Sequence, residues 1–107
     1  MSYFSVDRLP ATEMLPGVLR RAVYLEHVML TFFEFTPGSV VPEHSHPHEQ
    51  ISYVLQGALE FTLGEETRVI RAGEGVCCPP NVPHKATVLD ESAVVIDAWY
   101  PIREDYK

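Results

Sequence analysis

Nine prolines and six glycines interrupt the 107 residues so often that no stretch keeps apolar residues at helical spacing for three turns. Proline inside a helix removes a backbone hydrogen bond and clashes with the preceding turn, and glycine there costs roughly 1 kcal/mol relative to alanine. Between these breakers lie short runs rich in β-branched and aromatic residues, which read as strands. The predicted strands are 18–25, 27–35, 51–55, 58–63, 67–70, 75–78, 84–89 and 93–100, most of them ending at Gly, Pro, Asn or Asp. Such spacing predicts an all-β sandwich or barrel. Residues 1–107 are read as one domain, because a second core does not fit in so short a chain.

The alternation within 58–63 puts Leu59, Phe61 and Leu63 on one face and Glu60 and Thr62 on the other, so one side of that strand should be wet. By contrast, Ala93-Val94-Val95-Ile96 and Met29-Leu30-Thr31-Phe32-Phe33 are apolar on both faces, more than a lone small barrel needs. A homodimer that buries an outer sheet face is the expectation. The tail Arg103-Glu104-Asp105-Tyr106-Lys107 is polar enough to fray, unless Pro101 and the residues around it hold it in place.

A formal charge of −7, with no basic run, argues against a nucleic-acid partner. It also means that an acidic ligand needs local cations such as Arg68, Arg71 or Arg103. The N-terminal segment has neither the basic start nor the continuous apolar core of a signal peptide, and no stretch approaches membrane-spanning length. The expectation is a cytoplasmic protein with no membrane partner. Cys77 and Cys78 are adjacent, a spacing that suits neither a structural zinc site nor a disulfide, and they read as two small half-buried residues on opposite faces of a strand.

Chemistry concentrates in Glu43-His44-Ser45-His46-Pro47-His48-Glu49-Gln50. His44 and His46 share one face of an extended strand, where two imidazoles can chelate one metal. Imidazole suits zinc, copper, iron, nickel and some manganese sites and argues against magnesium or calcium. His48 follows Pro47, which breaks the strand and is expected to turn it outward; His27, beside Glu26, reads as a half-exposed strand residue. Near the other end, Asp97 and Trp99 have the same parity and so share a face. An acid among Val95, Ile96 and Ala98 is either a buried carboxylate held by an arginine or by backbone amides, or a catalytic group whose pKa burial raises.

Gly38, five residues, His44, one residue, His46, three residues, Gln50, six residues and Gly57 resemble the first motif of the cupin superfamily. The block 73–84, with Gly73, Pro79 and His84, is similar to the second. The resemblance implies a jelly-roll or conical β-barrel of two antiparallel sheets with one divalent transition metal, nickel, zinc, iron or manganese, on His44, His46, Gln50 and His84. Gln50 stands where the superfamily usually has Glu. An amide cancels none of the metal charge, so the metal remains a stronger Lewis acid; Glu49 is the competing ligand. Asn81 replaces a usual glycine but tolerates a left-handed backbone, and Val88 replaces a usual asparagine.

His46-Pro47-His48-Glu49-Gln50, together with the block from Asp97 to Tyr106, resembles the KdgF-type cupins of pectin and alginate breakdown. Those proteins open the ring of 4,5-unsaturated uronate monosaccharides to linear keto acids. The resemblance implies a small anionic sugar acid as substrate and Asp97, Trp99 and Arg103 as catalytic residues, although the family more often has Phe at Trp99. Asp97 would move a proton, Trp99 would wall the sugar ring, and Arg103 would grip the uronate carboxylate. Two other readings are an iron oxygenase or a lyase on the same fold, and a non-catalytic sugar-binding cupin.

Overall fold

In the computed structural model, which describes residues 3–107, the chain forms two antiparallel sheets. Met1 and Ser2, the start of the segment read for a leader, lie outside the described residues. The strands are β1 (Thr12–Leu15), β2 (Val18–Tyr24), β3 (Met29–Phe35), β4 (Val40–His44), β5 (Glu49–Gln56), β6 (Ala58–Leu63), β7 (Glu66–Arg71), β8 (Gly75–Cys78), β9 (His84–Val88) and β10 (Ala93–Tyr100). One sheet runs β1-β2-β3-β10-β5-β8 and the other β4-β9-β6-β7. The only helical elements among the described residues are single 3-10 turns at Val6–Arg8 and Glu104–Tyr106. None of the described helices is long and apolar enough to cross a membrane.

Two strands, β1 and β4, escape the sequence pattern. β4 contains Pro42, but it is an edge strand, and its register with β9 shifts between Val41 and His44. A proline at such a break removes no ladder bond. The four residues of β1 lie between Pro10 and Pro16, too short a run to show alternation. His27 is a correction of a different kind. β3 begins at Met29, and His27 stands in the turn of the β2–β3 hairpin with its side chain 65% exposed.

Alternation decides which side chains meet between the sheets. On β10 the buried positions are Ala93, Val95, Asp97 and Trp99; on β3 they are Met29, Thr31, Phe33 and Phe35; on β5 they are Gln50, Ser52 and Val54. The opposing sheet contributes Leu59, Phe61, His84, Ala86 and Val88. Following each inward row shows the plan of the molecule. β10 passes from Ala93 and Val95 to Asp97, β5 from Val54 to Ser52 and Gln50, and β9 from Val88 and Ala86 to His84. The interior is therefore a packed apolar core at one end, followed by a polar belt, with Met29, Trp99 and Ile102 forming a second apolar cluster beyond it. Burying so many polar groups together is costly unless they are paired or used.

The tail does not fray as its composition alone suggests. Ile102 is buried, and the Tyr106 ring packs edge-on against Phe33 and Trp99, with centroids 6.3 and 5.5 Å away. The guanidinium groups of Arg103 and Arg20 lie 4.0 and 4.4 Å from that ring. Apolar burial and cation–π contact outweigh the tail's polar composition. At Gly57, between β5 and β6, φ is +83° and a Cβ would meet the Ser92 carbonyl oxygen at 2.5 Å, so this motif position requires glycine. Asn81 adopts φ 67°, the left-handed conformation its side chain tolerates.

Candidate metal centre

His44 ends β4, His46 follows in the β4–β5 connection, and His84 opens β9 as the cross-strand partner of His44. The ring centroids of His44 and His84 are 4.3 Å apart, those of His46 and His84 4.9 Å, and those of His44 and His46 5.7 Å. One nitrogen from each lies within 4.8 Å of the others, so the three could hold a metal ion. His46 is outside the regular strand, and β4 stops two residues before it.

Backbone carbonyls choose the tautomers. His44 Nδ1 is 2.8 Å from the Pro42 oxygen and His84 Nδ1 is 2.9 Å from the Val82 oxygen. A carbonyl only accepts, so each Nδ1 carries the hydrogen and each Nε2 keeps its lone pair. His84 Nε2 is buried with no partner, an orphaned acceptor of the kind a metal satisfies. Burial, then Arg103 and the other two histidines, lowers His46 to a pKa of about 4, against the opposing hydrogen bond that its Nε2 donates to the Gln50 amide oxygen. Burial foremost, with His44 and Arg103, also lowers His84. Neutral imidazoles are what a metal ion needs.

Gln50 extends this cluster toward the carboxyl group. Its Oε1 is 2.9 Å from His46 Nε2, and its Nε2 donates to Ser52 Oγ at 2.9 Å and to Asp97 Oδ2 at 3.2 Å. Glu49 is exposed on the opposite face of β5, across from Tyr100. Asp97 is buried, and its Oδ1 has no partner. Desolvation lifts its pKa to about 7, although Ser52, Arg103 and Gln50 pull the other way. A carboxyl poised there gives and takes a proton at neutral pH.

Trp99 lies edge-on to His46 at 5.2 Å, and its indole N–H donates to Thr31 Oγ1 at 2.8 Å. It lines the interior cavity together with Gln50, Ser52, His84, Asp97 and Tyr106. Arg103 lies over Trp99 at 5.0 Å and donates through Nε and Nη2 to Asp105 at 3.3 and 2.9 Å, while its Nη1 is buried without a partner. Arg103 is thus paired with Asp105 yet still has a donor to give. His48 does not turn outward: it is half-buried, edge-on to His46 at 5.5 Å and to Trp99 at 6.4 Å, though outside the three-histidine group. Of the two cysteines, Cys77 is exposed and Cys78 buried, with burial pushing the Cys78 thiol up to about 12.

Four neighbours of the site escape the sequence reading. Ser52 carried a signal, the same parity as Gln50 two residues on, and Thr31 is the lone polar residue of its run. Arg20 alternates with Val18 and Ala22 on the inward face of β2 and gave a weaker one. Tyr106 ends the block that carries the family resemblance, but its place over Phe33 and Trp99 is a matter of tertiary packing that alternation does not report.

The sequence matches the model of the cupin domain over residues 31–99. The pectin degradation protein KdgF of Dickeya dadantii (strain 3937) is 30% identical over 106 residues, 97% of this chain and 96% of that protein. The structure of KdgF from Halomonas sp. superposes with a TM-score of 0.92 at 33% identity, covering 98% of this chain and 97% of that one. An RmlC-like cupin from Shewanella frigidimarina NCIMB 400 also gives 0.92, at 27% identity over 100% of this chain and 97% of its own.

Proposed function

The chain belongs to the cupin family and groups there with the KdgF proteins, and from this premise we propose that it is a metal-dependent enzyme of pectin or alginate breakdown that opens the ring of 4,5-unsaturated uronate monosaccharides. The observation that carries the reading is the double engagement of Gln50. Its oxygen faces His46 at 2.9 Å and its nitrogen donates to Asp97 at 3.2 Å, so one side chain joins the histidine cluster to a buried proton carrier.

In this reading His44, His46, Gln50 and His84 hold one divalent transition metal, of the nickel, zinc, iron or manganese class. When bound it supplies Lewis-acid stabilisation of oxygen charge. The chain's own residues do the rest. Asp97 accepts the proton of the hemiacetal hydroxyl; as the carbonyl forms there, the bond to the ring oxygen breaks and its electron pair passes into the enolate. Asp97 then delivers the same proton to the enol carbon, giving the linear keto acid with no net gain or loss of protons or electrons. Arg103 turns its free Nη1 to the substrate carboxylate, and Trp99 walls the sugar ring and keeps water out.

The test is loss of the conjugated double-bond absorbance of the 4,5-unsaturated galacturonate monomer, above spontaneous opening, with metal-replete and chelated protein. Metal-dependent acceleration is expected. Equal rates with and without protein overturn the reading, and oxygen uptake on a different substrate would point to an oxygenase instead.

The same reading includes a homodimer joined through the outer face of the six-stranded sheet. Ile51, Tyr53 and Leu55 on β5 and Tyr100 on β10 are 44–55% exposed there, with Ile96 and Phe32 beside them in register. Apolar side chains contiguous over three strands are unusual on a monomer's surface. Light scattering should give twice the 12.1 kDa chain mass, and Tyr53→Glu should return it to the chain mass. A parent protein of single-chain mass refutes the dimer.

A further inference from the structure

An imidazole ring nitrogen is a metal donor in its own right, but a primary amide serves only when it is the right way round: its oxygen can ligate, whereas its NH2 cannot. At Gln50 that choice is made by neighbours. Nε2 has two hydrogens, and both find acceptors, Ser52 Oγ at 2.9 Å and Asp97 Oδ2 at 3.2 Å. Turned the other way, the amide would set its oxygen against the Asp97 carboxyl group and its NH2 against His46. Ser52 and Asp97 are Cα partners in the β5–β10 register, so hydroxyl and carboxyl stand side by side beneath the amide.

The Ser52 hydroxyl lies between the two groups, accepting from Gln50 at 2.9 Å and hydrogen-bonding the Asp97 carboxyl. Ser52 is 3% exposed, and the next inward residue along β5 is Val54. A buried hydroxyl costs stability unless it is used. Its backbone is also clamped, because β8 crosses so closely at Gly75 that a Cβ there would lie 2.2 Å from the Ser52 carbonyl oxygen.

We propose that Ser52 is a positioning residue, whose hydroxyl, with the Asp97 carboxyl, holds the Gln50 amide with its oxygen toward His46 and so sets the affinity of the site for its metal. This rests on the reading of Gln50 as the fourth ligand. Groups that orient a ligand typically contribute about 10–100-fold to metal affinity.

The experiment is a titration with Zn2+ against a chromogenic chelator, using full-length protein stripped of metal. Ser52→Ala should weaken Zn2+ binding by about 10–100-fold. In the Gln50→Glu background the same Ser52→Ala change should cost much less, because either oxygen of a carboxylate can ligate and neither orientation is wrong. A loss of equal size in both backgrounds would mean that Ser52 merely supports the fold, and it overturns the proposal. Gln50→Ala separates the two layers of the argument. If it weakens Zn2+ while Ser52→Ala does not, the positioning role fails and the ligand stands; if Gln50→Ala changes nothing, the ligand assignment fails and the positioning role with it.

Discussion

The Asp97→Asn variant should retain its metal and lose turnover by about 10²–10⁴-fold, the usual worth of a positioned acid–base group. The two readouts separate because Asp97 is a neighbour of the histidine cluster and no member of it; Gln50 lies between. Asparagine keeps the size of the side chain and an oxygen to face the Gln50 amide, but it has no proton to carry. The same substitution should move stability in the opposite direction. Burial raises the Asp97 pKa from 3.8 to about 7, so across that window the folded chain holds a proton that the unfolded chain releases. Stability contributed by this group is complete below 3.8 and declines as pH rises through about 7. Metal-free Asp97→Asn should therefore be more stable than metal-free parent at about pH 8, by an amount on the order of a few kcal/mol, and the difference should vanish near pH 4. Urea melts of both chelated proteins at the two pH values measure it. Parental turnover in the variant would end the assignment of Asp97 as proton carrier, and equal melts at about pH 8 would deny that its burial is costly.

Strand alternation made part of this site legible in advance. Asp97 is the one acid in the run Ala93–Tyr100, and its parity put it on the same face as Trp99. The spacing of His44 and His46 sufficed to suggest a chelate, even though regular pairing ends at His44. Alternation, however, reports a face and not a depth. Ser39 is as buried as His46, yet its hydroxyl serves backbone turns, 2.7 Å from the Thr36 carbonyl oxygen and 3.4 Å from that of Gly17. Parity with Gln50 sets Ser52 apart, but it tells only the shared face and not that the hydroxyl reaches the amide. Strand β4 was hidden for a related reason: Pro42 reads as a breaker until the strand is known to be an edge. His48 follows Pro47 and Tyr106 ends the 3-10 turn of the tail, and only tertiary packing brings their rings to Trp99.

His84→Ala should empty the site, with a loss of metal affinity beyond the roughly 10–100-fold typical of an outer partner. His84 is 3% exposed, held by Val82 through Nδ1 and stacked on Phe61 with 10° between the ring planes. It is preorganised, and His44 and His46 cannot replace its nitrogen. His48→Ala is the control from the same stretch of chain, and it should keep stoichiometric metal after dialysis, because its ring lies outside the three-histidine group. Acid adds an independent check on metal-free protein. An unfolded histidine takes up its proton near 6.5, whereas burial holds His46 down to about 4 and lowers His84 as well. Stability from both rings is therefore present above 6.5 and is lost on acidification, for His46 as pH falls through about 4. Removing His84 deletes one of the two contributions, so the variant's melts should fall less steeply with acidification than the parent's, whatever the packing cost of the lost ring. Metal retained by His84→Ala would transfer the third ligand to another residue, and an unchanged acid slope would show that the ring is not held neutral by its burial.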